Sequence, residues 1–245
     1  MNELEFYKAI SELGIVVSET MKQQFSLYKD LIQEVNKVLN LTAIDDTEGI
    51  YLKHFYDSLL IASFLEEGSS IADIGSGAGF PGLVLAIARP DLKVTCIEPT
   101  TKRTNFLSRV CQEANITNVD VVNERAEDII DQYREHFDYV TARAVAYLDI
   151  LAELCIPFVK IGGKFIAMKG SKGLEELEAS QKAIKILSGE FEKSSFFTDP
   201  ILGDRYILEV VKTAKSHKKY PRNYAKIKKT PLSGRQSWLK QELYL

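Results

Sequence analysis

Along the first third of the chain, apolar residues recur every three or four positions; from Ser70 onward they gather into short runs that alternate with helical patterns. The first part predicts helices. Residues 2–13 form a short one. Ser18 caps a longer one reaching about Leu39, with Phe25, Tyr28, Ile32, Val35 and Leu39 on one stripe, and a third covers roughly 48–64. The second part predicts strands at 70–74, 93–97, 119–122, 137–142 and 163–168, followed in turn by helices at 80–88, 101–114, 126–131, 147–156 and 173–188. A strand that must return parallel to its predecessor needs a crossover, so this alternation implies a parallel sheet with helices on both faces. The last two strands, about 191–198 and 205–213, have no helix between them and read as an antiparallel pair at a sheet edge. The expected fold is α/β: a Rossmann-like, mostly parallel seven-stranded sheet with an antiparallel edge hairpin and an N-terminal helical extension. It divides the chain into a helical cap (1–65), an α/β domain (66–213) and a C-terminal segment (214–245).

The turn after the first strand, Asp73-Ile74-Gly75-Ser76-Gly77-Ala78-Gly79, carries the chemistry. Glycines at alternating positions let a ligand approach the backbone. Asp73 at the strand end repels a pyrophosphate and suits a ligand bearing an amine or a positive charge. S-adenosylmethionine has both, which makes this the loop expected of a class I S-adenosylmethionine-dependent methyltransferase. Gly77-Ala78-Gly79-Phe80-Pro81-Gly82 also matches the dinucleotide fingerprint G-x-G-x-x-G, with Glu98 near the expected acidic position. Three features favour the methyl donor over the dinucleotide. Asp73 stands four residues before Gly77, where a phosphate gains nothing from it. Pro81 has no N–H to offer a pyrophosphate at the helix start. And a helical region precedes the first strand, whereas a dinucleotide fold often opens with that strand.

Ligands of open α/β sheets sit outside the carboxyl ends of the strands. Glu98, ending the second strand, can accept both ribose hydroxyls. Ala126, after the third, leaves room for an adenine whose ring nitrogen its N–H can reach; Glu127 and Asp128 also suit the helix dipole there. Arg143, after the fourth strand, can clamp a methionine carboxylate, hold an RNA phosphate, or form an ordinary ion pair. The sequence Thr141-Ala142-Arg143-Ala144 is not the Asn/Asp-Pro-Pro-aromatic pattern of exocyclic-amine methylation. No cysteine lies at this strand end to attack a pyrimidine. A guanine N7 needs neither device, because its lone pair has no proton to remove; positioning in line with the methyl group suffices.

Composition adds bounds. Apolar content of 45% and charge of 27% are those of a globular protein. No apolar run is long enough to span a bilayer. Met1 to Ile10 contains Glu3 and Glu5 and does not read as a signal peptide. Cys96, Cys111 and Cys155 are widely spaced and odd in number, as expected of reduced residues in a cytoplasmic protein with neither a disulfide frame nor a metal cluster. The net charge of −3 hides an asymmetry: Lys212 to Gln241 holds ten Lys or Arg and no Asp or Glu. With Tyr220, Tyr224 and Trp238 among the cations, this segment reads as RNA-binding, through Lys218, Lys219, Arg222, Lys228 and Lys229; the alternative is a solvated tail. Lys169, past the fifth strand, is a further candidate for touching phosphate. His54 and Asp57 can pair at i, i+3 on one helix face.

The loop with its extension Phe80-Pro81-Gly82 resembles that of the bacterial 16S rRNA guanine-N7 methyltransferases, the glucose-inhibited division protein B family. So do Asn40-Leu41-Thr42, His54-Phe55-Tyr56-Asp57-Ser58-Leu59, Arg125-Ala126-Glu127-Asp128, Thr141-Ala142-Arg143-Ala144 and Tyr220-Pro221-Arg222. The resemblance spans about residues 36–232. It implies S-adenosylmethionine-dependent methylation of a guanine N7 in the decoding-region loop of 16S rRNA, free or in a small-subunit particle, with Gly75, Phe80, Ala126, Glu127 and Arg143 as cofactor contacts. No protein partner is predicted. One stretch departs from the pattern: Asn223-Tyr224-Ala225-Lys226-Ile227 stands where the family usually has a glycine and a proline, before Lys228-Lys229-Thr230-Pro231-Leu232 returns to it.

Overall fold

The computed structural model describes residues 1–143 and 146–235; Ala144, Trp238 and the end of the basic segment lie outside the described residues. The chain begins with α1 (Glu3–Glu12) and α2 (Glu19–Leu39). A continuous helical stretch follows, made of α3 (Thr47–Gly49), a π-helical run (Ile50–Tyr56) and α4 (Asp57–Leu59). Then come β1 (Ser70–Ile74), α5 (Gly82–Ala88), β2 (Lys93–Ile97), α6 (Thr101–Glu113), β3 (Val119–Val122), α7 (Ala126–Tyr133) and β4 (Phe137–Arg143). The chain continues through α8 (Leu148–Cys155), β5 (Val159–Lys169), α9 (Gly173–Ile186), β6 (Gly189–Asp199), β7 (Gly203–Lys212) and α10 (Tyr224–Lys229).

The seven strands form one sheet in the order β3-β2-β1-β4-β5-β7-β6. β1 to β5 are parallel, and β7 runs antiparallel to both β5 and β6, as the alternation and the helix-free last connection require. The order reverses at β1: the chain works outward to β3, then crosses back to β4. The connections leaving β1 and β4 therefore part in opposite directions and open a crevice at their carboxyl ends.

Each face of the sheet has its own core. On one, α1, α2 and the 47–59 stretch pack over α5, and their buried residues, among them Phe6, Phe25, Tyr28 and Phe55, form one cluster with Leu83, Val84 and Leu107. Every residue of α5 is buried, because it is enclosed by the sheet below and the N-terminal helices above. The N-terminal region is thus layered onto the sheet and shares its core. The opposite face carries α7, α8, α9 and α10. The third predicted helix is interrupted by its π-helical run. The interruption falls where the carbonyls of Lys53 and His54 receive the Arg143 guanidinium, at 3.0 and 3.5 Å. No helix among the described residues is long and apolar enough to cross a membrane.

From Lys212 to Arg235 the basic segment lies against the protein. Lys212 is buried at the end of β7, 3.3 Å from Glu135 and 3.1 Å from the Ile156 carbonyl. Tyr220 and Ile227 belong to the core under α8. Arg222 clamps Glu153 on α8, and Arg235 reaches Asp149 on the same helix. Sequence analysis placed Arg222 and Tyr220 at an RNA surface; both are corrected. Glu153 is fully buried and needs a counter-charge, and Arg222 supplies it. Lys169 is corrected likewise: only 8% exposed, it bonds the Ala146 carbonyl (2.9 Å) and Glu176 (2.7 Å). Lys218, Lys219, Lys226, Lys228 and Lys229 remain exposed.

Candidate active site

The crevice at the switch point holds a cavity of about 500 Å³, in the range of small-molecule sites. Its walls are the glycine loop after β1 (Gly75 to Ala78, and Phe80), the end of β2 (Ile97 to Thr100), Arg125 to Glu127, and Arg143. Of the residues predicted to bind cofactor, Gly75, Gly77, Phe80, Glu98, Ala126, Glu127 and Arg143 are brought together here.

Asp73 is placed differently from the expectation. It does not guard the mouth; it is fully buried behind the loop. Oδ2 accepts the Gly82 N–H at 2.9 Å, and Oδ1 has no hydrogen-bond partner among the described residues. Burial pushes the carboxyl up from 3.8 to about 6, against the lowering effect of the Gly82 N–H. The Phe80-Pro81-Gly82 extension now has a physical reason. A Cβ on Gly82 would lie 2.9 Å from Asp73 Cβ, Asp73 Oδ2 and Cys96 Sγ, so only glycine lets the helix start approach the carboxylate. This arrangement also removes the dinucleotide alternative. The first N–H groups of α5 would have to hold a pyrophosphate. Pro81 has none, Gly82 gives its own to Asp73, and Leu83 bonds Gly79.

Glu98 is 2% exposed. Its Oε2 accepts the Gly77 N–H (3.0 Å) and its Oε1 the Thr100 N–H (2.9 Å). Gly77 presents its N–H from a left-handed conformation, φ +59°. Two backbone donors thus pin the carboxylate, and each oxygen keeps a lone pair for a hydroxyl. Ala126 begins α7, whose start has no side-chain cap among the described residues.

Arg143 is the hub of a buried network. Its NH1 donates to Asp57 Oδ2 at 2.9 Å, and its guanidinium lies 5.0 Å from the centre of the Phe80 ring. Asp57 Oδ1 accepts from Arg205 Nε of β7 at 2.7 Å. His54 also stacks on Phe80, ring to ring at 4.3 Å and 14°. Burial first, then the Arg143 charge, pull His54 down to about 4, so it is neutral near pH 7. Its Nε2 lies 3.2 Å from the Ile44 carbonyl, which only accepts, so Nε2 carries the proton and Nδ1 faces Arg143. The roles of His54 and Asp57, which the sequence leaves open, are set by Arg143, to which both turn.

Sequence reasoning missed other parts of the wall. Leu41 and Thr42 line it from the N-terminal region. They are placed by Asn40, which ends α2 in the left-handed region (φ 48°), and by Asn36, whose side chain accepts the Thr42 N–H. Their signal was present as the Asn40-Leu41-Thr42 match. Leu154 and Tyr224 reach the cavity from elements distant in sequence, and Arg103 reaches it from the first turn of α6, just past Glu98.

The residues present fit an S-adenosyl cofactor: a buried carboxylate oxygen without a partner, a glycine cradle, and a pinned carboxylate at the ribose position. A family model described as rRNA small subunit methyltransferase G matches residues 21–206. The chain is 46% identical over 239 residues to the ribosomal RNA small subunit methyltransferase G of Leuconostoc mesenteroides, covering 95% of this chain and 100% of that protein. It is 44% identical to the protein of that name from Staphylococcus carnosus, covering 91% and 95%. Among solved structures, M. jannaschii TYW2 in complex with AdoMet matches with a TM-score of 0.53 at 15% identity, covering 69% of this chain and 77% of that one, a likeness of fold. With its fold, its cofactor-type crevice and these matches in agreement, the chain belongs to the rRNA small subunit methyltransferase G family.

Proposed function

We propose that this protein methylates N7 of a guanine in 16S rRNA, in the decoding-region loop at the position numbered 527, using S-adenosylmethionine. The cofactor supplies an electrophilic methyl group on a sulfonium that is already a good leaving group. Asp73, buried behind the glycine loop, would set a negative field near its cationic end; Glu98 would meet the ribose, Ala126 and Glu127 the adenine, and Arg143 the carboxylate. Asp57 and Arg205 hold Arg143 from behind, so a carboxylate meets a guanidinium whose position is set in advance.

The observation that carries this reading is the state of the α5 start, where Asp73 already occupies the place of an anion and keeps one oxygen unpartnered. A second fact supports the choice of N7. The carboxylates lining the cavity are engaged, Glu98 by two N–H groups and Glu127 Oε1 by the Tyr224 N–H, and the nearby His54 is held between Thr42, Ile44 and Arg143. A nucleophile without a proton needs no base among them. The exposed lysines of the C-terminal segment supply phosphate affinity. rRNA is a cytoplasmic substrate, which supports placing the protein there.

The test is calorimetric titration with S-adenosylhomocysteine beside NAD, together with mass spectrometry of rRNA from cells lacking the protein. Binding of S-adenosylhomocysteine and one missing methyl on a decoding-region guanine are expected. Preference for NAD, or an unchanged methylation pattern, would refute the assignment.

A further inference from the structure

Among the described residues lining the cavity, Tyr224 alone comes from beyond β7. It belongs to the stretch that departs from the family pattern. That stretch is ordered by its own chemistry: Asn223 Oδ1 accepts the Ala225 N–H at 3.0 Å and starts α10. Three attachments fix the segment on the enzyme. Arg222 donates to Glu153 from its backbone N, Nε and NH2 at 2.9, 2.7 and 2.6 Å. The Tyr224 N–H donates to Glu127 Oε1 at 3.2 Å. Ile227 is fully buried in the core. Glu127 stands beside Ala126, and Leu154, next to the clamped Glu153, also lines the cavity. The tyrosine is therefore seated at the end of the crevice formed by Ala126 and Glu127.

We propose that Tyr224 is the adenine-side wall of the cofactor site, contributed by the same short helix that exposes Lys226, Lys228 and Lys229. This rests on the S-adenosylmethionine reading above. A half-buried aromatic ring at the purine end offers an apolar π-face, and a stacked ring contributes roughly ten- to a hundredfold in affinity for a base. Lys228 Nζ lies 5.8 Å from the same ring, so the cationic surface and the cofactor wall meet in one side-chain pair. The role of Glu127 changes accordingly: one of its oxygens positions the wall.

The experiment compares full-length wild type, Tyr224→Ala and Tyr224→Phe by calorimetry with S-adenosylhomocysteine and, separately, with adenosine; binding of a 16S rRNA fragment without cofactor is measured in parallel. Tyr224→Ala should weaken both small ligands by about tenfold or more. Tyr224→Phe should restore them to near wild type, and RNA affinity should stay unchanged in both variants. Wild-type affinity for both ligands in Tyr224→Ala would overturn the proposal and leave the cofactor assignment standing. Parallel loss of RNA affinity and of thermal stability would also overturn it, since Tyr224 would then be an anchor of the segment. Failure of wild type to bind S-adenosylhomocysteine would remove the cofactor assignment itself, and this wall with it.

Discussion

Replacing Asp73 with Asn tests the central carboxylate with almost no change of shape. The Asn side-chain oxygen can still accept the Gly82 N–H that Asp73 Oδ2 receives at 2.9 Å. What is lost is a negative charge whose burial raises the carboxyl from 3.8 to about 6, a displacement worth ~3 kcal/mol in favour of the neutral acid. The sign follows by linkage. Below 3.8 the group is neutral in both the folded and unfolded chain and costs nothing. As the pH rises toward about 6, the unfolded chain ionises first and the folded protein loses that stability; above it the loss is constant. Asp73→Asn should therefore match wild type in denaturant unfolding at about pH 3.5 and exceed it by up to ~3 kcal/mol at about pH 7.5. Cofactor binding should move the opposite way. Removing the negative charge behind the loop should weaken S-adenosylhomocysteine binding by roughly tenfold, about 1.4 kcal/mol. Urea titrations at several pH values and calorimetry on the same samples provide both readouts. A variant less stable than wild type at neutral pH, or a stability gap that ignores pH, would refute the reasoning.

Three further outcomes are expected. Gly82→Ala places a Cβ 2.9 Å from Asp73 and Cys96 atoms; it should cost about 1–3 kcal/mol in chemical denaturation and lower S-adenosylhomocysteine affinity as Asp73 shifts. Glu153→Ala leaves the half-buried Arg222 without its partner, so stability should fall by about 3–5 kcal/mol, and limited proteolysis should open the chain near residue 222 before it attacks the sheet. Changing Lys218, Lys219, Lys228 and Lys229 to Glu should weaken rRNA binding and flatten its salt dependence by about 0.7–0.9 in log–log slope for each phosphate no longer neutralised; an unaltered slope would remove these lysines from the RNA surface.

The hydrophobic periodicity by itself determined the order of elements, the parallel sheet and the antiparallel edge pair, because period and crossover length are local properties of the chain. It also determined which residues end the strands, and with them most of the cavity: Gly75, Gly77, Phe80, Glu98, Ala126 and Arg143 all line it. Only the tertiary structure decided what those residues face. Asp73 was legible as a carboxylate at a strand end, but its burial behind Gly82 depends on how closely α5 approaches β1. His54 and Asp57 were legible as neighbours on one helix, yet what they face is Arg143 and, for Asp57, also Arg205, from strands far along the chain. The basic segment was legible as charge. Which cations face solvent is set by burial: Arg222 and Arg235 neutralise the buried Glu153 and Asp149, and the buried Lys212 takes Glu135, needs that arise only when the chain has closed around these groups.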